Sequence, residues 1–130
     1  LNNLNIQSNL TLMTSKGKSD TTVLKHLDNR PDILGSLIIY YSSPVGLNIQ
    51  LEMETTGRQF EHDPNKNTDF IQLDGTTIFN SRISYSLPAF NGILSELFIR
   101  INNIADTYRL YQLGLPEPGR TFYGGITINF

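Results

Sequence analysis

Residues that can do chemistry are few in this chain. Glu61, His62, Asp63 and Asp69 fall within one polar segment, and a hard cation can be held by carboxylates grouped in this way. Their spacing meets no metal-binding loop pattern, however, and a solvated loop accounts for the same residues. No metal site is expected. The sequence contains no cysteine, which excludes thiolate ligands, disulfides and cysteine nucleophiles. His26 and His62 are the only imidazoles, neither has a partner in the local sequence, and no serine sits in a nucleophile-elbow pattern. We therefore expect no catalytic residue, no cofactor and no enzymatic activity. Ten Lys and Arg against twelve Asp and Glu give a net charge of -2, so the basic field needed for nucleic-acid binding is also missing.

The remaining charges that alternate with apolar residues are Glu52, Glu54, Arg58, Arg82, Glu96 and Arg100. What positions them is a chain of 130 residues, enough for one domain. Its polarity is mostly uncharged: Asp, Glu, Lys and Arg make up 17%, against roughly 25% in a typical soluble domain. Asn and Thr fill the difference. The longest apolar run, Leu37 to Tyr41, is far short of the ~20 residues of a membrane helix, which leaves a membrane strand open.

Ala stands only at positions 89 and 105, and no window of helical length carries apolar residues at three-and-four spacing. Alternation of apolar and polar residues instead predicts six strands, at about 3–14, 33–43, 47–58, 71–87, 95–103 and 120–130. Pro44-Val45-Gly46 and Pro88-Ala89-Phe90-Asn91-Gly92 predict tight hairpins between the second and third strands and between the fourth and fifth. The other connections, roughly Ser15 to Asp32, Gln59 to Asp69 and Ile104 to Gly119, are long. Short turns at one end of a sheet and long loops at the other are the pattern of a transmembrane barrel.

Within these strands, one face presents Leu4, Ile6, Leu10 and Leu12, then Ile33, Leu37, Ile39 and Tyr41, then Leu47, Ile49, Leu51 and Met53. Phe79, Ile83, Tyr85, Leu97, Ile99, Ile101, Phe122, Ile126, Ile128 and Phe130 continue it without a charge. The opposite face collects Asn, Gln and the alternating charges, Arg58 and Asp74 among them. Two environments produce this pattern: a soluble sheet with its apolar side on a core, or a barrel wall with that side in lipid and the polar side on an aqueous lumen. Tyr40, Tyr41, Tyr85 and Phe130 near the short turns, with Phe60, Phe70, Phe122 and Tyr123 toward the long loops, would make two interfacial girdles in the second case.

The end of the chain, Tyr123-Gly124-Gly125-Ile126-Thr127-Ile128-Asn129-Phe130, resembles the C-terminal assembly signal of bacterial outer-membrane barrels, carried by Tyr123, Gly125, Ile126, Ile128 and Phe130. Upstream, Ile99-Arg100-Ile101-Asn102-Asn103-Ile104-Ala105-Asp106-Thr107-Tyr108 and Gly114-Leu115-Pro116-Glu117-Pro118-Gly119-Arg120 resemble the closing hairpin of TonB-dependent outer-membrane receptors. Asn103, Asp106 and Tyr108 leave the penultimate strand there, and Pro118, Gly119 and Arg120 introduce the last one. Ile104 stands where Leu is commoner and Ala105 where an aromatic is frequent. Looser resemblance covers Leu27 to Pro31 with Leu37 to Tyr41, and Thr56 to Phe60.

The resemblance implies an all-β antiparallel meander of about six strands, the C-terminal part of a barrel of about 22. Residues 1–130 would then be a fragment, with plug and N-terminal strands elsewhere. The receptor would sit in a Gram-negative outer membrane and import a scarce nutrient such as a metal chelate, cobalamin or a glycan. Its partners would be outer-membrane lipid, the barrel-assembly machinery, TonB and the substrate. The polar-face charges would line the lumen. A soluble lipocalin-like ligand-binding barrel and a passive porin or adhesin are the alternatives.

Overall fold

The structure, a computed structural model, describes residues 3–14, 16–18, 24–63, 70–90 and 93–129. Among them there is no helix. The strands are β1 (Leu4–Leu12), β2 (Lys16–Lys18), β3 (Leu24–His26), β4 (Ile33–Ser42), β5 (Leu47–Thr56), β6 (Gln59–His62), β7 (Phe70–Leu73), β8 (Thr76–Phe90), β9 (Ile93–Asn102), β10 (Leu110–Gln112), β11 (Leu115–Pro116) and β12 (Thr121–Asn129). The main sheet has six strands in the order β1-β4-β5-β8-β9-β12, each antiparallel to its neighbours. The protein is thus an all-β antiparallel meander, as the alternation predicts.

Two boundaries differ from the sequence reading. The segment 71–87 is not one strand: it breaks at Asp74 and Gly75, leaving β7 to pair with β6 while β8 joins the main sheet. Pro88, Ala89 and Phe90 belong to β8 rather than to a turn, since the pairing with β9 continues to Phe90 opposite Ile93. The register shifts between Leu87 and Phe90, where Pro88 has no N–H to give the ladder, and a bulge absorbs the missing bond. Asn91 and Gly92 lie outside the described residues. The long connections are not irregular either: β2 pairs β3, β6 pairs β7 and β10 pairs β11. Alternation over three or four residues is too short to register as a strand.

Register unites the apolar residues on one side. Leu4 faces Tyr41, which faces Ile49, then Ile83, then Ile99 and finally Gly124. One row along, Ile6, Ile39, Leu51, Ser81, Ile101 and Phe122 are aligned in the same way. Because a strand's side chains alternate with period two, a one-residue slip anywhere would have scattered them.

Along β8 the two sides of the sheet are covered unequally, and in the opposite sense to a soluble domain. On β8, in the interior of the sheet, the apolar-side residues Phe79, Ile83 and Tyr85 are 45%, 50% and 43% exposed, while Ile78, Asn80 and Ser84 on the other side are 7%, 8% and 3% exposed. Leu73 and Ile78 are the only buried hydrophobic residues among those described. Ordinary soluble folds bury the apolar side and hydrate the polar one. Burying one such Ile or Leu is worth roughly 1.5–3 kcal/mol, so a whole open face represents a large unmet gain.

Candidate functional site

Charges on the polar side pair across strands. Arg82 on β8 faces Arg100 on β9, a repulsive juxtaposition that acidic partners on either side relieve. Arg82 binds Glu96, and its guanidinium also lies 4.7 Å from the centre of the Phe98 ring. Arg100 reaches Glu52 at 3.6 Å and donates to Asn102 Oδ1 at 2.6 Å. Phe98 lies against Gly125 of the neighbouring strand, where an added Cβ would come within 2.8 Å of the ring. Glycine at 125 is therefore a seat for an aromatic on the polar side.

Of the six charges proposed for the lumen, Glu52, Glu54, Arg82, Glu96 and Arg100 stand on the polar side of β5, β8 and β9. Arg58 does not. β5 ends at Thr56, and Arg58 lies beyond it, largely exposed, 3.7 Å from Asp32. Asp74 is likewise in the break between β7 and β8, where it accepts from Gln72. Alternation carried past the end of a strand misplaces both. Beside Arg58, Asp32 presses its carboxylate against Gly57, and its Oδ1 is buried without a hydrogen-bond partner among the described residues.

The aromatic girdles are reduced in the same way. Tyr41, Tyr85 and Phe122 stand on the apolar side. Tyr40 is on the polar side, donating to Asn48 Oδ1, and Tyr123 is there too, opposite Arg100. Phe60 and Phe70 belong to the β6–β7 hairpin, off the main sheet, where Phe70 meets His62 edge to face at 5.2 Å. Neighbouring residues of a strand point to opposite sides, so Tyr40 and Tyr41 cannot serve one girdle.

The closing hairpin is built around two residues with left-handed backbone, Asn103 at φ 52° and Asp106 at φ 55°. Such φ values favour Asn and Asp, whose short polar side chains bond nearby backbone. Asn103 is buried: its Oδ1 accepts from the Thr107 N–H and its Nδ2 donates to the Thr107 carbonyl, both at 2.8 Å. Its own N–H donates to Asn80 Oδ1 at 2.9 Å, which ties the loop to the polar side of the sheet. Asp106 reaches across to the start of β12 and accepts from the Arg120 N–H at 2.7 Å. A Cβ at Gly119 would lie 2.6 Å from the same carboxylate, so Gly119 lets the backbone come close enough for that bond. Tyr108 is exposed and Pro118 precedes the glycine. Of the residues at the chain's end, Tyr123 and Gly125 face the polar side and Ile126 and Ile128 the apolar side, while Phe130 lies outside the described residues.

These contacts predict a graded response at position 103. Asn103→Ala loses two buried side-chain hydrogen bonds at about 1 kcal/mol each and adds about 1–2 kcal/mol of left-handed strain, together about 3–4 kcal/mol. Asn103→Gly keeps the backbone relaxed and should lose about 2 kcal/mol less than Ala at most. Urea unfolding, followed by tryptic cleavage after Arg109, measures both; equal losses would show that the backbone conformation contributes nothing.

Sequence reasoning missed the contacts that bind the loops to one another. Gln59 Nε2 donates to the Tyr111 carbonyl at 3.0 Å, and Glu61 accepts from the Leu113 N–H, joining β6 to the β10–β11 hairpin. Asn29 donates to the Phe60 carbonyl at 2.9 Å. Arg109 bonds Thr56 Oγ1 at 3.1 Å and pairs with Glu117 at 3.5 Å. A signal for the last pair was present, because Arg109 and Glu117 are equally distant in sequence from Leu113, as opposed residues of a hairpin are from its turn. The acidic segment around His62 brings together no three metal-ligating side chains among the described residues, and Asp69 is outside them. No family model, curated protein or solved structure matches this chain.

Proposed function

We propose that the chain is a stretch of wall and extracellular loops from an outer-membrane β-barrel of the TonB-dependent receptor kind, which imports a scarce nutrient. The observation that carries the membrane part is the inverted coverage of β8, with Phe79, Ile83 and Tyr85 open and Asn80 and Ser84 covered. Lipid is the solvent in which an open, charge-free face of this size is stable, and a lumen is the place where cross-strand ion pairs stay hydrated. The receptor part rests on the resemblance of the 99–130 segment, whose Asn103, Asp106, Gly119 and Arg120 share one hydrogen-bonded unit. β1 and β12 each have a single neighbour in the sheet, and further barrel strands would complete them.

Topology tests the proposal. The three two-stranded hairpins share one end of the sheet, opposite the Pro44–Gly46 turn, and in this reading they are outside the cell. Gly114 is exposed, has φ 78° and has nothing within 4 Å of a would-be Cβ, so an inserted epitope should be tolerated. Cells producing the full-length protein should bind antibody to an epitope at Gly114 while intact. Staining that requires permeabilisation would place the loops on the wrong side and overturn the proposed orientation.

A further inference from the structure

Where the closing loop meets the polar side of the sheet, a cleft of about 260 Å³ is left between them. Glu54, Asn80 and Arg100 line it from the sheet, Arg109 and Glu117 from the loop, and Tyr123 from β12. Resting on the transport reading above, we propose that this cleft is a binding subsite for a neutral, hydroxyl-rich ligand, one ring of a sugar or oligosaccharide.

Charge narrows the class of ligand first. Both guanidiniums are already engaged, Arg109 by Glu117 at 3.5 Å and Arg100 by Glu52 at 3.6 Å. Glu54 has no ion-pair partner among the described residues, so the charge left over is negative. A carboxylate, phosphate or anionic chelate arriving here would face Glu54 with no unpaired cation among the described residues that line the cleft, and desolvating such a pair of like charges is unfavourable. A metal cation fares no better, because a hard ion takes six or more oxygens, Glu117 is already paired with Arg109, and no three metal-ligating side chains come together among the described residues.

What the cleft does offer is hydrogen bonding of both senses at close range. Glu54 accepts only. Asn80 has its carbonyl oxygen taken by the Asn103 N–H at 2.9 Å, which leaves its amide N–H₂ as the group it can give to a ligand. Arg100 and Arg109 supply further N–H groups in fixed planes, since each is held by its acid. Vicinal hydroxyls, each a donor and an acceptor, match this alternation, and neither a purely anionic nor a purely apolar ligand does. Tyr123 is 53% exposed beside the cleft and offers a ring face on which the C–H side of a pyranose can rest. The volume suits a single ring, so the remainder of a longer ligand would extend along the lumen.

The test uses full-length protein in detergent, with calorimetric titration of maltohexaose, cellohexaose, mannohexaose and a fructan, against hexagalacturonate and ferric citrate as anionic probes. At least one neutral oligomer should bind, the anionic probes should not, and Glu54→Ala and Tyr123→Ala should each weaken binding by about tenfold or more. Glu54→Gln, which keeps the shape and one acceptor, should fall between. Heat-modifiable mobility of every sample reports whether the barrel is folded. With a folded barrel, preference for hexagalacturonate or ferric citrate, no binding of any neutral oligomer, or indifference to both alanine substitutions overturns the subsite and leaves the transport reading standing. Unsubstituted protein with no heat-modifiable barrel overturns both.

Discussion

Ile99→Arg should impair membrane assembly of the full-length protein much more than Arg100→Leu, one residue along the same strand, which should leave most of it folded. Ile99 is 62% exposed on the apolar side, between Ile83 and Gly124 in register. In the proposed barrel a charge placed there would meet lipid near the middle of β9 and cost roughly 2–4 kcal/mol, a large share of the roughly 5–15 kcal/mol that keeps a typical protein folded. Arg100 points to the polar side, where its pair with Glu52 is long and partly exposed, so its loss removes about 1 kcal/mol at most. Heat-modifiable electrophoretic mobility of outer-membrane fractions compares the two. Equal effects would overturn the assignment of sides, because register makes the two positions inequivalent whenever one side is apolar and the other wet.

The second large effect concerns solubility. Residues 1–130 by themselves should aggregate in plain buffer and become dispersed in detergent. Two features act together: Ile6, Leu10, Leu12, Phe122, Ile126 and Ile128 are all more than half exposed, and β1 and β12 present unpaired backbone along their outer edges. An open apolar face of this extent drives association, and an unpaired edge templates strand addition. Light scattering with and without detergent gives the readout. A monodisperse monomer that unfolds cooperatively in buffer would contradict the membrane reading and favour the soluble, lipocalin-like ligand binder instead.

The rival readings differ over which side of the sheet is covered, and the sequence could not decide that. Alternation of Leu47, Ile49, Leu51 and Met53 with Asn48, Gln50, Glu52 and Glu54 establishes a two-sided strand, whatever the solvent on each side. Coverage comes from what lies over a side chain, such as the loop that ties Asn103 to Asn80 across 23 positions of sequence. The same distinction runs through the loops. Gln59 meets Tyr111 and Glu61 meets Leu113 through backbone carbonyl and N–H groups, which every residue carries, so no residue type marks those contacts beforehand.

Determined by sequence alone were the all-β class, the six main strands to within a few residues at most of their ends, and the division of their side chains between two faces. All of these follow from a two-residue period and from turn residues, both local properties of the chain. Left to the tertiary structure were the break at Asp74-Gly75, the continuation of β8 through Pro88, the three loop hairpins, and the position of Arg58. The exposure of the apolar side beside a covered polar side was decided there too. Each depends on partners distant in the chain, because where a strand ends and what shields its side chains is settled by the neighbouring strand and loop, not by the residues of the strand itself.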